Sequence, residues 1–330
     1  MSVETESPVL VEGAAAGVPA APVPEAEPGP WVSARPTRTV EIVRRVLRFP
    51  HVVHEHRDLV VTSLKRDLAA RFQGTVLSWA WPFLQPLFLF GVYYFIFTEL
   101  LAQRFPDLPD SQKAAMGVYM FSALVPWQAL AESLVRGTSV IVDNGNLIKK
   151  LAFPSELLPL NVVLASTTTM LCGVAMFVLA TLVTPVWSAP GLSVLWVPLL
   201  LVCQALFIYG LVLFLSTLHV FLRDTQQLVA MFTTVWMFLT PVFWAPQAIG
   251  EKIRTWMPVL SANPAYHMVQ AWRGALMGDL VVQFQNGPAA VVSAADVPWH
   301  LAQLALWALV TYALGYAFFV LSQRRFADEV

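Results

Sequence analysis

Leu147-Ile148-Lys149-Lys150-Leu151-Ala152-Phe153-Pro154-Ser155-Glu156-Leu157-Leu158-Pro159 is a short, partly polar island between two long apolar runs. Two lysines, an aromatic and two prolines fall within it. The lysines mark a cytoplasmic face by the positive-inside bias. Pro154 resists continuing a helix from the preceding turn and biases Phe153 towards extended geometry. The chain therefore leaves a membrane, forms one compact cytoplasmic element and returns. Two readings of that element stand side by side: a docking element that receives motion from a soluble partner, and an ordinary turn between two spans.

The composition fits the same picture. The chain has 330 residues, of which 57% are hydrophobic and only 12% charged. Soluble domains carry about 25% charged residues. That deficit, with apolar runs long enough to cross a bilayer, predicts an all-α polytopic membrane protein. The net charge of -1 offers no global field for nucleic acid. Cys172 and Cys203 both lie inside apolar runs and read as small packing residues.

Residues 1–38 are rich in Ala, Pro, Val and Glu, with no basic residue before Arg35, and are expected to be a disordered tail. They lack the charged-then-apolar order of a signal peptide. Val40, Val43, Val46 and Leu47 then recur at helical spacing among Arg44, Arg45 and Arg48, until Pro50 interrupts. Val60, Leu64, Leu68 and Phe72 form a second stripe, four residues apart, with Arg57, Lys65, Arg66 and Arg71 on other faces. This stripe predicts a helix lying in the interface, with its basic residues towards anionic headgroups; packing on a soluble partner is the other reading.

Six spans follow, at about 83–101, 117–135 with an extension towards 142, 157–183, 195–218, 228–244 and 301–321. Glu132 and Arg136 stand i, i+4 in the second and predict a local ion pair. Asn161 and the hydroxyls at 166–169 in the third suit close helix packing. Two short pieces, 249–257 and 264–277, cannot cross a bilayer and read as interfacial or re-entrant half-helices; Asn263-Pro264 supplies an N-cap and a first-turn proline for the second. Residues 278–298 read as a loop. With both termini and the breaks near 149 and 223 inside, fifteen of the 20 basic residues fall on the cytoplasmic side and five outside.

The chain has no phosphate-cradling P-loop and no metalloprotease or nucleophile-elbow motif. His51, His54 and His56 cluster beside Glu55, but that spacing does not converge three rings on one metal. No span carries the unpaired acids of proton-coupled transport. No cofactor is expected in this chain, and its energy source is expected in trans.

Several stretches together resemble the membrane subunits of type-2 ABC exporters, in the branch that exports O-antigen, teichoic acid and other lipid-linked polysaccharides. They are Leu64-Lys65-Arg66-Asp67-Leu68 through Arg71-Phe72 to Trp81 and Pro86; Leu147-Ile148-Lys149-Lys150 with Phe153-Pro154 and Leu157-Leu158-Pro159; Phe221-Leu222-Arg223-Asp224; Pro241-Val242; and Asn263-Pro264 with Arg273. The resemblance implies a homodimer of six-span subunits in the bacterial cytoplasmic (inner) membrane, both termini cytoplasmic, partnered by two copies of an ABC ATPase that binds ATP and Mg. It implies an interface helix carrying Lys65, Arg66, Asp67 and Arg71, within cytoplasmic amphipathic helices over 39–78. The membrane domain would run over 79–323, with a coupling element over 143–156 that includes Leu147, Ile148, Lys149, Lys150, Phe153 and Pro154. Arg223 and Asp224 would form a cytoplasmic loop, short helices over 247–278 an external gate, and 324–330 a cytoplasmic tail. Aromatics would line the path of the lipid-linked polysaccharide, with Tyr93, Tyr94, Phe97, Trp236, Phe238 and Phe243 as candidates beside the reading that they are packing or belt residues. A drug or lipid exporter is the alternative within the class. A membrane-embedded transferase is the alternative outside it, and the chain shows no converging acid, base or metal set for one.

Overall fold

The computed structural model describes residues 39–72, 80–96, 110–150, 154–183, 191–246, 252–282 and 290–329. The tail expected over residues 1–38 lies outside them, as do Phe97 and Phe153. Helix α1 (Thr39–Glu55) runs into α2 (Arg57–Phe72) with a break at His56. Pro50 was expected to end the first helix; instead it sits inside α1. The expected stripe also rotates. Val43 and Leu47 are exposed, whereas Ile42, Val46, Phe49 and Val53 face the core. An aromatic pocket sets that choice. The Phe49 ring stacks on Tyr209 at 5.1 Å and meets Tyr316 edge-on at 5.6 Å, while Tyr312 donates its hydroxyl to the Val46 carbonyl at 3.1 Å. Aromatic contacts of this kind add to the burial of the ring itself.

Helix α3 (Trp81–Phe95) begins with proline at its first turn. Helix α4 (Asp110–Asp143) runs unbroken for 34 residues, about 51 Å at the α-helical rise, so the expected extension beyond the second span is real. Its segment from Ala115 to Trp127 is buried on every face, which makes α4 the axis of the bundle. A six-residue helix, α5 (Gly145–Lys150), follows, and then α6 (Leu157–Val183), which has the expected bounds. A 3-10 turn (Leu192–Trp196) leads into α7 (Val197–Phe221).

Helix α8 (Thr225–Leu239) is shorter than the 228–244 expected. Thr240 precedes Pro241 and is extended, with ψ 137°, so the helix stops there. Helix α9 (Lys252–Ser261) precedes α10 (Pro264–Met277), where Asn263 accepts from the Ala265 amide as N-cap. The loop expected over 278–298 contains a small antiparallel hairpin, β1 (Leu280–Val282) with β2 (Ala290–Val292), in the register Leu280 to Val292. Helix α11 (Val297–Ser322) and a short α12 (Phe326–Glu329) complete the described chain.

The fold is that of an all-α membrane protein. Among the described residues, four helical stretches are long and apolar enough to cross a bilayer: Ala115–Asp143, Leu157–Leu179, Leu192–Phe221 and Ala294–Arg325. Helices α7 and α11 approach backbone to backbone, because Gly210 and Gly315 remove the side chains where the two meet.

Candidate functional site

The first candidate surface is the end of the bundle where α4 finishes and α6 begins. Asn144 separates α4 from α5: its side-chain amide donates to the Val140 carbonyl at 2.8 Å, and its own carbonyl accepts from the Leu147 amide at 3.0 Å. Leu147 and Ile148 turn inward onto the core, and Lys149 is exposed. The backbone at Lys150 closes the helix. Pro154 starts the return turn, its carbonyl accepting from the Leu157 amide at 3.0 Å. The island is thus a short helix with an apolar underside and at least one outward lysine.

The chain end expected as a cytoplasmic tail packs against this element. Phe326 is fully buried, its ring 5.2 Å from Phe319, and α12 rests on α5 and α7. Arg223 donates to the Glu329 carbonyl at 3.2 Å, and Gln323 donates to the Ser155 hydroxyl at 2.9 Å. Asp224 is exposed at the start of α8, its carbonyl accepting from the Leu228 amide. The sequence-selected residues 147–149, 154, 223 and 224 therefore belong to one end of the bundle, and α12 joins two of their segments. Nothing in the periodicity of seven terminal residues singles out Phe326 as their anchor.

Helix α2 differs from the expected interface helix in one residue. Val60 is buried and Leu64 and Leu68 are half-buried, while Lys65 and Arg66 are exposed, in keeping with the stripe. Asp67 is half-buried. Arg71, expected to point at headgroups, is drawn into the bundle, with its side chain only 10% exposed. Its Nη1 pairs with Glu132 Oε1 at 2.6 Å and donates to Thr169 Oγ1 at 3.4 Å. Glu132 also takes the predicted bond from Arg136 Nη1, at 3.1 Å. The i, i+4 pair was legible, but its third member arrives from a helix 61 residues earlier in the chain. Burial lowers the pKa of the Arg71 guanidinium, Glu132 opposes the shift, and the group keeps its charge. This triad closes one end of a cavity of about 520 Å³ between α2, α3, α4 and α6.

The aromatic candidates divide. Tyr93 on α3 stacks on Phe243 at 5.4 Å, and Phe238 lies 6.4 Å from Phe243. Phe238 is exposed and the other two are half-buried. Trp236 is held separately: its ring stands edge-on to Trp127 at 5.7 Å, and its N–H donates to the Asn263 side-chain oxygen at 3.0 Å. The Tyr94 side chain and Phe97 lie outside the described residues.

Helix α10 carries polar anchors; Arg273 is among the residues that carry the resemblance, whereas Trp272 and its partner Gln204 were not singled out from the sequence. Trp272 donates to Gln204 Oε1 at 2.6 Å, and Gln204 Nε2 donates to the Pro126 carbonyl at 3.1 Å. The fully buried Arg273 donates to the Val242 carbonyl at 2.8 Å and to Gln270, and its guanidinium carbon stands 3.7 Å over the Tyr119 ring. Such groups need several partners because an unpaired buried polar atom is costly. Helix α10 is accordingly fixed to α4, α7 and the turn after α8. Among the described residues, no three His, Cys, Asp or Glu side chains are grouped to hold a metal ion.

Comparison with known proteins covers most of this architecture. Residues 58–277 match the family described as ABC-2 type transporter. The O-antigen export system permease protein RfbA of Klebsiella pneumoniae is 29% identical over 221 residues, spanning 67% of this chain and 80% of that protein. The protein of the same name from Myxococcus xanthus is 28% identical over 229 residues, spanning 69% of this chain and 84% of its own length. The matched region runs from α2 to the end of α10 and contains the island, the Arg71 triad and the polar anchors of α10.

Proposed function

The chain belongs to the ABC-2 type transporter family, and on that premise we propose that it is the permease subunit of an ATP-driven exporter of a lipid-linked cell-surface polysaccharide, of the O-antigen or teichoic acid kind. It is a transporter subunit rather than an enzyme; ATP and Mg are bound by a separate ABC ATPase. The observation that carries the reading is the outward helix α5. It is a short, lysine-bearing element at the end of the longest helix, α4, and it stands where a soluble partner can reach it.

Two permeases pair around a common path, and two ATPase copies dock on the α5 side. Force applied to α5 enters α4 directly, because only Asn144 separates them. The four long helices, with α3 and α8 as shorter companions, make six crossings, and α9 and α10 form the external gate. Both termini lie in the cytoplasm of a bacterium, at its inner membrane, as the distribution of basic residues favours. Tyr93, Phe238 and Phe243 offer aromatic faces to sugars along the path.

The test is co-purification of the full chain with the ABC ATPase encoded beside it, followed by ATP hydrolysis with and without lipid-linked glycan. A two-plus-two complex whose hydrolysis responds to the glycan supports the proposal. Absence of any ATPase partner in detergent and in lipid overturns it, and hydrolysis that answers to a drug or a simple lipid instead reassigns the cargo.

A further inference from the structure

The cavity beside the Arg71 triad holds donors without acceptors. Arg71 Nε and Nη2 are buried and have no hydrogen-bond partner, although Nη1 of the same guanidinium is fully engaged. The Ser166 hydroxyl lines the same cavity, is 1% exposed and is likewise unpaired. Unsatisfied buried donors are uncommon in folded proteins and call for an explanation. The Nε and Nη2 edge of a guanidinium is the fork that recognises two oxygens of one phosphate.

Charge and polarity are both graded. Two arginines and one glutamate line the cavity, so the lining itself carries one positive charge in excess; Asp67 faces a neighbouring hollow with Arg136 and acts on Arg71 from outside the lining. Along α4 the lining passes from Arg136 and Glu132 to Leu124 and Phe121, a distance of about 22 Å at the helical rise. Helix α6 passes from Ser166 to Gly173 and α3 from Gln85 to Leu89, both changing from polar to apolar in the same direction. Three helices thus give the cavity a charged mouth at the end of the bundle that carries α5 and an apolar interior towards the middle.

We infer that this cavity binds one anionic phospholipid of the surrounding leaflet, its phosphodiester held by Arg71 and Ser166 and one acyl chain laid along α3, α4 and α6. A phosphodiester carries the single negative charge that the lining lacks. A diphosphate, with at least two, leaves a negative charge uncompensated beside Glu132. Water satisfies the donors but not the apolar interior. The inference needs a bilayer around the chain and not a particular cargo, so it stands or fails separately from the export reading.

Native mass spectrometry of the full chain, delipidated and then titrated with phosphatidylglycerol, phosphatidylcholine or a polyprenyl diphosphate, tests it. Wild type retains one phosphatidylglycerol per chain in preference to phosphatidylcholine. Arg71→Gln weakens that binding about tenfold, the value of a charge-assisted hydrogen bond. Arg57→Gln, on the exposed part of α2, does not. Arg71→Lys keeps an ion pair for Glu132 but removes the fork, so it serves if the glutamine variant fails to fold, and it also weakens binding. Gly173→Leu leaves every charge in place and obstructs the apolar interior, where even a Cβ would stand 3.1 Å from Val125; it too loses the lipid. Phosphatidylglycerol binding that is unchanged in Arg71→Gln and Arg71→Lys overturns the inference. Tighter binding of polyprenyl diphosphate, displacing phosphatidylglycerol in an Arg71-dependent manner, also overturns it and assigns the cavity to a cargo anchor.

Discussion

Replacing Gly315 with alanine tests the seam on which the bundle depends. A Cβ at this position would stand 2.9 Å from the carbonyl carbon of Gly210 and 3.3 Å from its Cα, and closer still to its carbonyl oxygen. Favourable carbon contacts lie at about 3.5 Å or beyond, and the nearer carbonyl oxygen sets the limit, so α11 would have to retreat from α7 by roughly 1 Å or more. The obstructing atoms are backbone and have no rotamer to change. Retreat also strains the contacts beside the seam, where Tyr209 stacks on Tyr312 at 6.0 Å and the Thr311 hydroxyl reaches the Phe207 carbonyl at 3.4 Å. Overpacking of this sort costs about 1–3 kcal/mol, and the better helix propensity of alanine returns about 0.5–1 kcal/mol. The net loss is about 1–2 kcal/mol, roughly a 5- to 30-fold fall in the folding equilibrium. The assay is reversible SDS unfolding of the purified chain. Gly210→Ala should behave alike, its Cβ standing 2.6 Å from the Thr311 carbonyl oxygen, whereas Gly91→Ala, with nothing within 4 Å, should be neutral or slightly stabilising. A Gly315→Ala chain as stable as wild type would refute the close-approach argument.

Charge reversal at Lys149 and Lys150 should impair ATPase docking or its coupling to export while leaving the folded subunit in the membrane; unchanged assembly, ATPase stimulation and export would sink the assigned role. Gln204→Leu leaves both the Trp272 N–H and the Pro126 carbonyl without this partner, and should lower unfolding stability by about 2–4 kcal/mol, at about 1–2 for each buried group. The His267–His300 pair should make stability depend on pH. His267 donates from Nε2 to the Ser261 carbonyl at 2.8 Å, and in the neutral ring its Nδ1 then accepts from His300 Nδ1 at 3.0 Å, an arrangement that protonation of both rings would break. Burial holds the His267 pKa below its usual value. The unfolded chain therefore takes up protons first, and stability should fall as pH drops below about 6.5. Unfolding midpoints from pH 8 to 5 check this, with a smaller fall expected in His300→Gln.

The sequence by itself determined the class of the protein, the bounds of α6 and α10, the break at Pro154 and the Glu132–Arg136 pair. Each follows from apolar run length or from residues within a few positions of one another, which local physics couples directly. Tertiary structure decided the rest. The Phe49 pocket chose which side of α1 faces inward, and the extended residue before Pro241 ended α8 earlier than its apolar run does. Arg71 is one basic residue among several beside an apolar stripe until α4 and α6 bring Glu132 and Thr169 against it. Gly210 and Gly315 look like two scattered glycines until α7 and α11 cross there. Local pattern specifies which face of a helix is apolar. It does not specify which distant side chain will share that face, because only the packed bundle brings such groups within reach of one another.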